Sequence, residues 1–112
     1  MDYSFRELEC FIAVAEELSF TRAAKRLNLA QPPLSRHIRT LEEKLGVGLF
    51  ERNRQGVSVT AAGNTFYEET RNILPRLRRA TEAARRSASG QTAILRIGFV
   101  SAVMNDHLAS IL

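Results

Sequence analysis

A single cysteine, Cys10, stands among the 112 residues, so no disulfide can form within the chain. A fold stapled by such bonds is excluded, and a reducing cytoplasm is the expected setting. Three prolines and six glycines are few, which argues against long disorder. No apolar run approaches the length of a membrane span, so no membrane partner is expected. The opening MDYSFRELE has no basic segment followed by an apolar one, so it does not read as a secretory signal. No residues cluster at metal-ligand spacing, His37 and His107 lie far apart in sequence, and no glycine-rich phosphate loop is present. Catalysis, a bound metal and a cofactor within these residues are therefore not expected.

The composition is that of an ordinary globular chain, 45% hydrophobic and 25% charged, and its length suits one small domain with its own core. The net charge of +4 is unevenly spread. Residues 1–19 carry a net of −4, residues 20–60 a net of +5 and residues 61–89 a net of +3, with the rest balanced. A basic middle beside an acidic start suits a polyanion partner on one face, and equally a solvated basic surface. Charge alone leaves both readings open.

Residues 5–18 repeat apolar positions at helical spacing: Phe5, Leu8, Ile12 and Ala15, with Phe11 and Leu18 beside them. Ser4 with Glu7 three residues on forms a capping box. Cys10 and Val14 fall off the stripe and are expected to be partly exposed. Cys10 has no basic neighbour to lower its pKa, so packing is its expected role. Ser19 or Thr21 caps a second helix running to about Leu27. Its adjacent Ala23 and Ala24 let another helix cross closely, as a helix-turn-helix unit requires. Asn28 suits the left-handed backbone of a tight turn, and Leu29 is expected to plug the core below it.

A third helix opens on Gln31-Pro32-Pro33, where a first turn tolerates proline. Leu34, Ile38, Leu41 and Leu45 give it one buried stripe. Off that stripe lie Gln31, Ser35, Arg36 and Arg39, then the acidic pair Glu42-Glu43. A polar, basic first half and an acidic second half suit a helix whose N-terminal end meets nucleic acid in the major groove. Side chains, backbone amides and the helix dipole would all favour phosphate there. His37 reads as exposed or partly packed.

Gly46 ends that helix. Two short alternating runs around Asn53-Arg54-Gln55-Gly56 then read as a β-hairpin with Arg52 and Arg54 at its tip or edge. A basic hairpin directly after such a helix reads as a wing, against the plainer reading of a capping hairpin with solvated arginines. From Thr60 a long helix is expected over residues 61–89. Phe66, Ile73, Leu77, Ala80 and Ala84 recur near heptad spacing, with Thr70 filling the seam between the first two. Such a helix extends roughly 40 Å and needs a partner helix for its stripe. Pro75 would cost a continuous helix on the order of 3 kcal/mol, so a kink is expected near residues 71–75. The arginines at 76, 78, 79, 85 and 86 read mostly as a solvated face.

After a short polar linker, Ile94-Leu95-Arg96-Ile97-Gly98-Phe99-Val100 reads as a buried parallel strand and residues 102–112 as a helix. One strand cannot make a sheet. The sequence therefore reads as the N-terminal portion of a longer protein, cut early in a second domain.

The runs LECFIAVAEELSFTRAAKRLNLAQPPLSRHIRTLEEKLGVGLFERN, VTAAG and LRIGFV together resemble the LysR-type family of bacterial transcriptional regulators, over essentially the whole chain. The resemblance implies a winged helix-turn-helix, then a dimerising linker helix, then a domain that binds a small-molecule inducer. It also implies tetramers that bend double-stranded DNA at an interrupted inverted repeat, and it admits RNA polymerase as a partner. The family's DNA-contacting positions map onto Gln31, Pro32, Pro33, Ser35 and Arg36, with Arg39 beside them. On the wing they map onto Arg52, with Arg54 or Gln55 as the residue that reaches the groove. Pro75 departs from the family's linker helices. Ser101 lies where members place polar groups toward the inducer.

The expected fold is thus mainly α. A winged helix-turn-helix DNA-binding domain occupies 1–60, a long dimerising linker helix 61–89, and the hinge with the first strand and helix of a truncated α/β effector domain 90–112. The expected function is sequence-specific regulation of transcription, as activator or repressor, in a bacterial cytoplasm. Dimerisation is expected through Phe66, Ile73, Leu77, Ala80 and Ala84. A winged-helix protein-interaction module is the alternative. A winged-helix regulator of the molybdate-responsive or multiple-resistance type fits less well, because LRIGFV follows a single long helix.

Overall fold

Ser4 starts the first helix by exchanging hydrogen bonds with Glu7. Its hydroxyl accepts from the Glu7 amide at 3.0 Å, and the Glu7 carboxylate accepts from the Ser4 amide at 3.3 Å, the reciprocal pair that the sequence predicts. The structure, a computed structural model, describes residues 3–89. The strand expected over 94–100, the helix over 102–112, Ser101 and His107 lie outside the described residues.

Helix α1 (Phe5–Glu17) differs from its expected stripe. Cys10, Phe11 and Val14 have no exposed surface, whereas Phe5 is 44% and Leu18 48% exposed. The reason is that α1 touches α2 (Phe20–Arg26), α3 (Gln31–Leu45) and α4 (Ala61–Thr70). A helix wrapped on several sides buries more than one stripe. Cys10 therefore sits in the core, where burial pushes its thiol up to about 11 and leaves it inert as a nucleophile. The helix ends at Leu18, whose φ of 51° lies in the left-handed region. That conformation costs a non-glycine residue about 1–2 kcal/mol. The Leu18 amide closes the turn by donating to the Val14 carbonyl at 2.7 Å.

The helix-turn-helix follows the sequence closely. Ser19, rather than Thr21, caps α2 by accepting from the Arg22 amide at 3.1 Å. Ala23 and Ala24 are buried where α2 meets α1 and α3. Asn28 takes the left-handed turn at φ 58°, and Leu29 is half-buried behind it. In α3, Leu34, Ile38 and Leu41 are buried, and Gly46 terminates the helix at φ 77°.

Strands β1 (Phe50–Asn53) and β2 (Gly56–Val59) pair antiparallel, Phe50 opposite Val59 and Asn53 opposite Gly56. Arg54 and Gln55 form the turn. The Asn53 side-chain oxygen accepts from the Gln55 amide at 2.8 Å, a local bond that favours asparagine there.

Thr60 fastens the hairpin to the next helix. Its hydroxyl caps α4, accepting from the Gly63 amide at 3.0 Å, and donates to the Gly48 carbonyl at 2.7 Å. Gly63 is buried against the hairpin's base. A β-carbon there would clash with the Leu49 carbonyl oxygen and lie 2.6 Å from a methyl group of Val59.

The single helix expected over 61–89 is two helices. α4 ends at Thr70, the chain turns at Arg71 and Asn72, and α5 runs over Ile73–Ala88. Pro75 thereby falls in the first turn of α5, where its missing N–H removes no intrahelical bond. The interruption, rather than a kink in a continuous helix, avoids the cost of a mid-helix proline. The described residues form two units, one through Asn72 and the other from Ile73. The first is mainly helical with one small two-stranded sheet.

Replacing Gly63 by alanine should lower unfolding free energy by about 1–3 kcal/mol, the usual cost of an overpacked contact. Gly48→Ala, with only the Glu42 carboxylate 4.0 Å from its added carbon, should stay within about 0.5 kcal/mol. Urea denaturation of both variants measures the contrast.

Candidate nucleic-acid interface

The N-terminal half of α3 carries the expected polar face. Gln31, Pro32, Arg36 and Arg39 are exposed, and Pro33 and Ser35 are half-buried. Residues four apart share a helix face, so Gln31, Ser35 and Arg39 form one row, with Pro32 and Arg36 alongside it. Ala30 occupies the cap position without a side-chain hydrogen bond. Pro32 and Pro33, the second and third residues of the helix, have no N–H to offer an anion. This helix end therefore offers an anion fewer backbone amides than an ordinary first turn does.

The hairpin carries two more arginines, and Arg52 lies beside that row. Arg54 is exposed in the turn. Arg52 folds back: its guanidinium carbon stands 3.8 Å from the centre of the Phe20 ring, and its Nη2 donates to the Ser35 hydroxyl at 3.4 Å. Phe20 in turn meets Phe50 edge to face at 6.1 Å. Glu42 is excluded from the polar face, as the sequence suggested, because it works elsewhere. Its Oε2 accepts from the Leu49 and Phe50 amides at 2.7 and 3.2 Å, fixing the start of β1 to α3. This joint has no sequence signal beyond an acid seven residues before an apolar run.

The described acids of the first segment are consumed in pairs. Glu7 is 5% exposed and accepts from Lys44 at 3.0 and 3.2 Å. Burial pushes its carboxyl up, but the Lys44 hydrogen bond, the Ser4 amide and the Lys44 charge together outweigh that and hold it below its ordinary value. Glu16 binds Arg26 at 2.6 Å and accepts from the Tyr67 hydroxyl at 2.6 Å, which links α1 to both α2 and α4. Burial raises its carboxyl too, and the bonds from Tyr67 and Arg26 bring it net below the ordinary value. Glu17 pairs with Arg22 and Arg26. By contrast, Arg36, Arg39, Arg52 and Arg54 take part in no ion pair among the described residues. Among the described residues of the first unit only Lys25, on α2, shares this lack of a carboxylate partner, so four of its five such side chains lie on α3 and the hairpin.

Of the expected seam, Phe66 is engaged in the first unit, its ring centre 5.1 Å from Phe11 and 6.4 Å from Tyr3. Thr70 is buried and bonds to the Phe66 carbonyl. Ile73 and Leu77 are 46% and 44% exposed on α5, and Ala80 and Ala84 are exposed at the same helical spacing. No described helix is long and apolar enough to cross a membrane, and no described group of His, Cys, Asp or Glu could hold a metal ion.

Two helices crossed at a tight turn, the second followed by a β-hairpin, define the winged helix-turn-helix class. Residues 5–64 match the family of bacterial regulatory helix-turn-helix proteins, lysR family, and the chain belongs to that family. It is 46% identical over 106 residues to the HTH-type transcriptional regulator AlsR of Bacillus subtilis, covering 95% of this chain and 35% of that protein. To the HTH-type transcriptional regulator BudR of Klebsiella aerogenes it is 49% identical over 96 residues, covering 86% of this chain and 67% of that protein. Among solved structures it superposes on the BenM DNA-binding domain, determined in complex with catB site 1 DNA, with a TM-score of 0.72 and 44% identity. That match covers 80% of this chain and 99% of the other. The chain spans about a third of the length of most of the curated relatives it matches. These relatives are regulators of transcription, not enzymes.

The native carboxyl value of Glu7 lies below its ordinary 4.5. Its pairing therefore stabilises the fold fully above that pH and is lost as pH falls through the lowered native value. Lys44→Met should cost about 1–2 kcal/mol at pH 7, the pair being partly solvated. It should also flatten the loss of stability in acid. Urea titrations of both forms at pH 7 and at pH 3.5 measure the difference.

Proposed function

We propose that this chain is the DNA-reading part of a sequence-specific bacterial transcriptional regulator acting in the cytoplasm. The observation that carries this reading is the gathering of Arg36, Arg39, Arg52 and Arg54, without carboxylate partners, beside Gln31 and Ser35 on one end of α3 and the adjoining hairpin. Similarity to a DNA-binding domain solved on DNA supports it. The reading part covers 1–60, the pairing region 61–89 and the opening of an effector domain 90–112.

In this reading α3 enters the major groove by its first turns. Arg36 is the residue suited to a bidentate guanine contact or a phosphate contact, and Gln31, Ser35 and Arg39 fix the register. Pro32 and Pro33 pack against the nucleotide surface, and Arg54 meets the backbone from the wing. Two copies pair through Ile73, Leu77, Ala80 and Ala84, whose exposed apolar row needs a partner. Two reading helices then lie about 34–36 Å apart, so the site is an interrupted inverted repeat. In the full-length protein a small-molecule inducer acts through the effector domain, the dimer assembles further into a tetramer, and RNA polymerase is a partner.

Arg36→Ala should weaken binding to a duplex selected from a random pool by about five- to 150-fold, and Arg85→Ala by much less. Equal losses in a gel-shift titration contradict the assignment. A protein-interaction module would show no steep fall of DNA affinity with salt, whereas counterion release demands one. Separately, Leu77→Glu should shift the chain toward monomer in sedimentation equilibrium while leaving its helical content intact, since Leu77 is solvent-facing in the single chain.

A further inference from the structure

We propose that Arg52 is a positioning residue for recognition rather than a contact to DNA, and that it biases the Ser35 hydroxyl toward donating. This rests on the DNA-reading function proposed above.

The geometry is specific to a planar guanidinium. The Arg52 guanidinium carbon lies 3.8 Å from the Phe20 ring centre, in the range of face-on cation–π contact. Its Nη2 meanwhile reaches the Ser35 hydroxyl at 3.4 Å. Phe20 belongs to α2, Ser35 to α3 and Arg52 to β1, so one side chain ties together the three elements of the reading unit. Behind the guanidinium, Phe20 packs on Phe50, the first residue of the same strand, and Phe50 packs on Phe11 at 5.4 Å. The strand is thus held along one face, through Phe50 and Arg52. The groove between α3 and the hairpin is lined by Phe20, Ile38, Arg39, Glu42, Phe50 and Arg52, so the Arg52 side chain occupies the junction of the elements.

A serine hydroxyl has one hydrogen to give and two lone pairs to accept with. Arg52 donates into a lone pair, so it leaves the Ser35 hydrogen free to point outward and biases it toward acceptors. A phosphate oxygen, guanine O6 or N7, adenine N7 and thymine O4 are acceptors, whereas the amino groups of cytosine and adenine are donors. Arg52 thereby narrows what Ser35 reads without touching DNA. Lysine does not replace it, because an ammonium is a point charge that neither stacks on a ring as a plane nor donates in a fixed fork.

The experiment uses the 112-residue chain and two duplexes: one enriched by the wild type from a random pool, and a scramble of equal composition. Wild type, Arg52→Lys, Arg52→Met, Ser35→Ala and the Arg52→Met/Ser35→Ala double variant are titrated at several salt concentrations, with circular dichroism and urea midpoints as checks on the fold. Both Arg52 variants should lose about tenfold on the enriched duplex and little on the scramble, with the salt slope unchanged. In the Ser35→Ala background Arg52→Met should cost much less. If Arg52→Lys restores wild-type affinity, or if Arg52→Met lowers the salt slope by about one and weakens both duplexes alike, Arg52 is a phosphate contact and the proposal is overturned. Full additivity of the two substitutions overturns it as well, and so does a collapse of the urea midpoint that accounts for the loss. A wild-type chain that binds neither duplex refutes the DNA-reading function itself, which is a separate outcome.

Discussion

The Phe11 ring is the point on which the first unit is assembled. It is fully buried in α1 and meets Phe50 of the hairpin and Phe66 of α4 at ring distances of 5.4 and 5.1 Å. Through Phe50 the contact passes to Phe20 on α2, and through Phe66 to Tyr3 before α1. Tilted and edge-on aromatic contacts add directional preference to the area they bury. The hairpin is only four residues on each side. An isolated two-stranded hairpin is marginal in water, so its position depends on Phe50 being held in this aromatic row and on Glu42 accepting from the Leu49 and Phe50 amides at its start.

Electrostatics does a complementary task. The acidic start and the basic middle of the sequence are brought together, and Glu7, Glu16 and Glu17 become partners of Lys44, Arg26 and Arg22. Those pairs stitch α1 to α2 and α3, and Tyr67 extends the stitching to α4 through Glu16. Among the described residues of the first unit, what remains without a carboxylate is Lys25 on α2 and the four arginines of α3 and the hairpin. A modest overall charge is thereby converted into a local one, which is the quantity that matters to a polyanion.

Several features were legible in advance because they are local. The Ser4–Glu7 capping box, Asn28 in the turn, Gly46 at the end of α3 and the hairpin around residues 53–56 each depend on a few neighbouring residues. So does the polar row Gln31, Ser35, Arg39. The buried face of α1 was misread because a stripe presumes a neighbour on one side, and α1 has neighbours on several. The helix expected over 61–89 was misread at its middle. Periodicity continued across residues 71 and 72, but the chain placed Pro75 in a fresh first turn instead.

The sequence by itself determined the helix-turn-helix, the hairpin, the polar face of α3 and the resemblance that placed the chain in its family. Each is a matter of spacing within one element or between adjacent ones. Only the tertiary structure decided that Gly63 must be glycine beneath Leu49 and Val59, that Glu7 faces Lys44, and that Arg52 lies on Phe20 and points at Ser35. Apart from Gly63 against Val59, these contacts join residues from 14 to 37 positions apart, and no local pattern encodes such a pairing. It arises when α1 takes its place among the other elements and the hairpin closes over Phe20, which is also what sets the arginines of the reading face apart from those that hold the fold.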